Sequence, residues 1–184
     1  LCDPVFNICF SFFSFEGMFK ISNLILGGRS IIVLVVLFLT FNSLMKNTIP
    51  PEVVLDLKFG YSAKAAYLTI SDMSAEMRQA YIRCLLLFDI PYMVIYTLLF
   101  IQLLNFLWKD TRIQLFCVGI LIFDFFENLT IYSMIQIFPD YSSFLGFSSS
   151  FFTSSKWILV GIVITLSIVG AVKKIFSNQR QGLL

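Results

Sequence analysis

Asp124, Glu127 and Asn128 stand near the middle of FCVGILIFDFFENLTIYSMIQIF, a run long enough to cross a bilayer. A charge at that depth is expensive, so such side chains turn inward, pair with one another or serve a function. Three kinds of chemistry suit them. Carboxyls can act as general acid or base on a lipid-soluble substrate. They can line a pathway for protons, cations or a small solute. Carboxyls and an amide together can also hydrogen-bond between helices and hold a bundle in register. Two further residues belong with them by type and depth: Asp89 in the preceding apolar run and Lys156 at the start of the last. Asp89, Asp124, Glu127, Asn128 and Lys156 therefore form the candidate intramembrane polar cluster.

Composition removes other chemistries. The chain has no histidine, so Ser-His and Cys-His nucleophile pairs, imidazole proton shuttles and histidine metal ligation are absent. Cys2, Cys9, Cys84 and Cys117 match no zinc or redox spacing. Cys84 and Cys117 fall within apolar runs and read as small buried hydrophobes. We expect no metal, no cofactor and no disulfide framework. A formal charge of +2 with no basic stripe gives no reason to expect a nucleic-acid partner. The aromatic residues fall inside apolar runs, where packing or lipid contact accounts for them better than base stacking. The expected partner is the lipid bilayer; nothing in the sequence specifies a protein partner or self-association.

The elements that position the cluster follow from hydropathy. Of 184 residues, 58% are hydrophobic and 13% charged, with mean hydropathy +0.88. Soluble domains carry about 25% charged residues, so lipid is the expected solvent. Residues 1–23 form an N-terminal segment without a clear period, and we read residues before Met18 as a fragment edge or translated upstream sequence. The first span runs from about Leu24 to Met45; FNSLMKN offers no small-x-small cleavage site, so a retained helix is expected rather than a signal peptide. Residues 46–82 are the only sizeable polar stretch. Within it Ser62 precedes a short helix, and Ser74 precedes AEMRQAYIR with Glu76 in the first turn, where the helix dipole favours an acid. The second span covers about Arg83 to Leu107, with Pro91 as a potential kink and Trp108 at its end. The link 109–112 is short enough to demand an antiparallel hairpin with the third span, about Ile113 to Phe138. YSSFLGFSSSFFTSS reads as a loop, followed by the fourth span from about Lys156 to Ile175. In it, Gly161 and Thr165 form a small-xxx-small pair suited to close helix contact. This predicts an all-α fold: four transmembrane helices in an antiparallel bundle, residues 24–175, with a short helical extracytoplasmic loop region and a tail from 176 to 184. Lys20, Arg29, Lys109, Arg112 and the basic tail share one side, which places both termini in the cytoplasm.

At 100° per residue, Cys117, Ile120, Asp124, Asn128, Ile131 and Ile135 share one face of the third helix, flanked by Glu127, with Phe126 nearly opposite. Asp89, Tyr92 and Tyr96 form one stripe of the second helix, with Gln102 and Asn105 roughly opposite. A rise of about 1.5 Å per residue sets Asp89 roughly 9 Å and Glu127 roughly 15 Å below the outer ends of their helices. Lys156 therefore reaches Asp89 more easily than Glu127, and Arg83 is a second cation within reach. Carboxyls left without such a partner stay protonated, because an unpaired buried charge costs too much. The apparent glycosylation sequon Asn128-Leu129-Thr130 lies in mid-membrane and is not expected to be used.

The succession Gly60-Tyr61-Ser62, Arg78 to Arg83 (RQAYIR), Phe88 to Tyr92 (FDIPY), Phe123 to Asn128 (FDFFEN) and Ser154 to Trp157 (SSKW) resembles a group of small uncharacterised four-helix integral membrane proteins with a D-x-x-E-N motif in the third span. The resemblance covers about residues 52–175. It implies that Asp89, Asp124, Glu127, Asn128 and Lys156 belong to one shared constellation, and it implies no activity. The reading from sequence is a multi-pass membrane protein, non-enzymatic, whose polar cluster is structural. The alternatives are a carboxyl-lined pathway and an intramembrane acid–base enzyme.

Overall fold

The computed structural model describes residues 28–108, 110 and 112–181. Cys2, Cys9 and the N-terminal segment 1–23 lie outside the described residues. Helix α1 spans Gly28–Thr48. Two single 3₁₀ turns, Pro51–Val53 and Leu55–Leu57, lead to α2, Ala63–Ser71, and α3, Ala75–Cys84. A π-helical turn, Leu85–Asp89, joins α3 directly to α4, Ile90–Trp108. Then come α5, Gln114–Ile137, and α6, Ser143–Gln181. Among the described residues, four stretches are long and apolar enough to cross a membrane: Ile31–Thr48, Ala75–Trp108, Gln114–Ile137 and Ser143–Phe176. The protein is an all-α antiparallel bundle and a multi-pass integral membrane protein.

Local chemistry explains the helix starts. The Ser62 hydroxyl accepts from the Ala65 N–H and the Ser74 hydroxyl from the Met77 N–H, each satisfying a donor that the first helical turn leaves unpaired. The π turn lies immediately before Pro91. Proline has no N–H to donate and its ring crowds the carbonyl four residues back, at Leu87. A single turn of wider helix, with the Ile90 N–H reaching the Leu85 carbonyl, absorbs that mismatch without breaking the rod.

One expectation is overturned. The Ser/Phe-rich stretch after Pro139 is helix from Ser143 onward, so α6 has 39 residues and a length of about 58 Å, well beyond the roughly 30 Å of a hydrocarbon core. Serine favours caps and turns because its hydroxyl competes for nearby backbone groups. Here hydroxyls on the N-terminal half of α6 find partners across the fold. Ser154 donates to the Phe59 carbonyl (2.7 Å), Ser150 accepts from the Tyr61 N–H (3.0 Å), and Ser149 and Tyr61 share a hydroxyl–hydroxyl bond (2.6 Å). The serines thus dock residues 59–61 lengthwise on α6.

The small-residue expectation is also corrected. A methyl at Gly161 would meet nothing within 4 Å, so this glycine faces away from other helices. Close approach occurs at Gly146, whose added carbon would fall 2.7 Å from the Ala63 Cα of α2, and at Gly170, where it would meet the Trp108 indole at 2.7 Å. The buried stripe of α6 runs Gly146, Ser149, Thr153, Lys156, Val163 and Gly170. Gly161 lies off that stripe, which is why its spacing to Thr165 carries no contact.

Two apolar layers divide the bundle. One, at the end bearing α2, gathers Leu55, Ile70, Tyr81, Leu85, Ile131 and Met134. The other, toward the α4–α5 hairpin, gathers Met93, Leu104, Cys117, Ile120, Leu121 and Val163. The polar residues of α4, α5 and α6 fall between them.

Candidate functional site

All five residues of the expected cluster are buried, and α5 presents its three, Asp124, Glu127 and Asn128, as its periodicity requires. Cys117, Ile120, Asp124, Glu127, Asn128, Ile131 and Ile135 are inside, while Phe126 on the opposite face is 42% exposed. Lys156 is the hub. Its Nζ donates to Asp124 Oδ1 at 3.0 Å and pairs with Glu127 Oε2 at 2.6 Å. The other oxygen of each acid is held by a hydroxyl. Tyr96 donates to Asp124 Oδ2 and Thr153 donates to Glu127 Oε1 (2.6 Å). This arrangement supplies both an opposite charge and further hydrogen bonds, which a buried ion pair needs to offset its desolvation.

The expected order of reach is reversed. Lys156 bonds Glu127 and Asp124, and Asp89 lies outside its salt-bridge range. The reason is the early start of α6: Lys156 is thirteen residues into the helix, not at its first turn, and so lies level with 124–127 of α5. Arg83 is exposed and forms no ion pair among the described residues. Asp89, 3% exposed, instead accepts from the Asn128 amide, linking the π turn to α5. The Asn128 side chain is therefore buried and engaged, consistent with an unused sequon.

A fourth acid joins the cluster that sequence reasoning did not include. Asp56 Oδ2 lies 3.9 Å from the Lys156 ammonium. It comes from the 3₁₀ turn Leu55–Leu57, pinned at two points: the Leu55 N–H donates to the Tyr81 hydroxyl (3.0 Å), and the Trp157 indole donates to the Asp56 carbonyl (2.9 Å). Burial pushes the Asp56 carboxyl above its ordinary range, opposed by the Lys156 charge. Tyr61 lies beside it, its hydroxyl held by Ser149 and, at 3.3 Å, by Thr153; burial pushes that phenol up to about 12. Tyr61 falls in the Gly60-Tyr61-Ser62 motif, the one sequence signal that pointed to this loop.

Beside the cluster is a cavity of about 320 Å³. Its polar residues include Asp56, Asp89, Asp124 and Lys156 on one side and Lys46 and Asn42 of α1 on another. The rest of the wall is largely apolar and aromatic, with Phe38, Tyr92, Tyr96, Phe100 and Trp157. Phe38 stacks on Tyr92 with centroids 5.2 Å apart, and Tyr92 meets Tyr96 edge-on at 5.5 Å. The Asn42 amide donates to the Tyr92 hydroxyl (3.1 Å), tying α1 to this wall. Among the described residues no group of three metal-ligating side chains is gathered. Comparison with protein families, curated proteins and solved structures finds no match.

Proposed function

We propose that this is a non-enzymatic membrane protein that takes a small lipid-soluble molecule into the cavity between α1, α4 and α6. The observation that carries the reading is the cavity itself: largely apolar, with a few convergent polar groups at one side, and about 320 Å³. That is the form and the lower size range of small-molecule sites. In this reading the Lys156 clasp is structural. It joins α5, α6 and the Asp56 loop, and so holds two walls of the cavity in place. A continuous carboxyl-lined pathway is less well supported, because the layer toward the hairpin packs Met93, Leu104, Ile120 and Val163 at 0% exposure. An acid–base reaction at the cavity carboxyls would appear as conversion of the bound molecule.

Native mass spectrometry of protein extracted from its own membrane tests this. A small co-purifying adduct is expected, and Met45→Trp, which fills the cavity from α1, should lose it while retaining helical circular dichroism. An adduct-free native protein, whose melting temperature no compound of this size raises, would sink the proposal.

A further inference from the structure

We infer that the molecule this cavity takes is a lipophilic amine, its cation received by Asp89 against the aromatic wall. The inference rests on the binding reading above and adds the chemical class of the ligand.

The argument starts from charge. The polar cluster holds four carboxyls, Asp56, Asp89, Asp124 and Glu127, and one buried ammonium, that of Lys156, which pairs with three of them and not with Asp89. Lys156 is committed to Asp124 and Glu127, at 3.0 and 2.6 Å, and Asp56 stands at the edge of its range. Asp89 is left without a cation among the described residues. It is 97% buried, lines the cavity, and accepts from the Asn128 amide on Oδ2. Lys46 also lines the cavity, but it is exposed, where water screens its charge.

The walls decide what kind of cation fits. A hard metal ion needs several oxygen ligands, and no such group is gathered among the described residues. A hydrated ion would leave its shell unsatisfied against Phe38 and Phe100. An organic amine needs only one carboxyl: a protonated Asp89 passes its proton to the entering amine, leaving a carboxylate–ammonium pair, and aromatic faces attract that cation through their quadrupole. Tyr92 and Tyr96 of α4 follow Asp89, the last residue of the π turn, by three and seven residues and line the same cavity, and Phe38 backs Tyr92 from α1. An acid beside aromatic rings in an otherwise apolar chamber complements a cation carrying an apolar body. Lys156 would repel that cation but is neutralised by its own pair of carboxylates.

The test compares phenylbutylamine with phenylbutanol, which share a body and differ in the head. Binding is measured by isothermal titration in uncharged detergent. The native protein should bind the amine at least about tenfold more tightly than the alcohol, and Asp89→Asn should abolish that preference by weakening amine binding. Equal binding of the two by the native protein overturns the amine inference and leaves the binding reading intact. Binding of neither overturns both. An amine preference that survives Asp89→Asn overturns the assignment to Asp89. Should that variant fail to fold, labelling of the native protein with dicyclohexylcarbodiimide decides: saturating N,N-dimethyl-phenylbutylamine, a tertiary amine that cannot form an amide with the activated acid, should protect Asp89 in the mapped peptide, and unchanged labelling overturns the assignment.

Discussion

At the scale of single residues, Lys156 is the group whose loss the bundle tolerates least. Replacing it by Met would leave Asp124 and Glu127 buried and facing each other without a cation. Breaking a buried pair in this way costs about 3–5 kcal/mol, and at about 2–4 °C per kcal/mol for a chain of this length the melting temperature should fall by roughly 10 °C. Adding Asp124→Asn and Glu127→Gln to Lys156→Met should restore most of it, since both amides still accept from Tyr96 and Thr153. A triple variant no more stable than the single would show that the clasp is not electrostatic. Tyr61 gives a prediction in pH. Its phenol titrates near 10 when unfolded and at about 12 in place, so the folded state holds the proton more tightly. Its contribution is whole below pH 10 and is lost as pH rises from 10 to 12. Alkaline melting curves of Tyr61→Phe should therefore fall less steeply across that window than those of the native protein. The five cluster residues were legible because polar side chains in an apolar run announce themselves, and a 3.6-residue period says which way they point. Asp56 was not. It lies in a polar stretch where acids are ordinary, and contacts distant in sequence, of Leu55 with Tyr81 and of its own carbonyl with Trp157, bring it to Lys156.

At the scale of elements, the sequence reading located all four spans and both short helices, since hydropathy and serine caps are local signals. It failed where the signal is not local. Seven serines and a threonine between Tyr141 and Ser155 resemble a loop in isolation; they are helical because Phe59, Tyr61 and Glu127 satisfy their hydroxyls from elsewhere in the fold. This same docking makes Gly146 critical. A side chain there would collide with Ala63 at 2.6 Å and push α2 off α6. Gly146→Val should expose the α2 region, so that trypsin cuts at Lys58 and Lys64 severalfold faster, at an overpacking cost of about 1–3 kcal/mol. Gly161→Val, at a position where an added Cβ meets nothing within 4 Å, is the control and should leave cleavage unchanged. Equal rates in both variants would mean that α2 is held by something other than this contact.

At the scale of the whole molecule, the two ends of the bundle differ in kind. One end is a folded cap: the 3₁₀ turns, α2, and the first turns of α3 and α6 close over the polar cluster through Tyr81, Trp157 and the α6 hydroxyls. The other is a short hairpin with basic residues beside it. There Lys173 lies over the Trp108 ring and Lys174 over Phe106, as expected of cations and aromatics at a lipid headgroup boundary. Arg112, Lys173 and Lys174 lie at that end, and Lys46, Lys58, Lys64 and Arg78 at the cap are offset by Glu52, Asp56, Asp72 and Glu76. Basic residues retain their side of the membrane in the cytoplasm, so the hairpin end is proposed to be cytoplasmic and the cap, with its cavity, to face outward. Single cysteines in a background where the native ones are replaced by alanine give the measurement. Ser71→Cys should react with an impermeant thiol reagent in intact cells, whereas Asp110→Cys and Asn178→Cys should react only after permeabilisation. Labelling of Asn178→Cys from outside would invert the orientation, and with it the side from which water-borne molecules meet the cap.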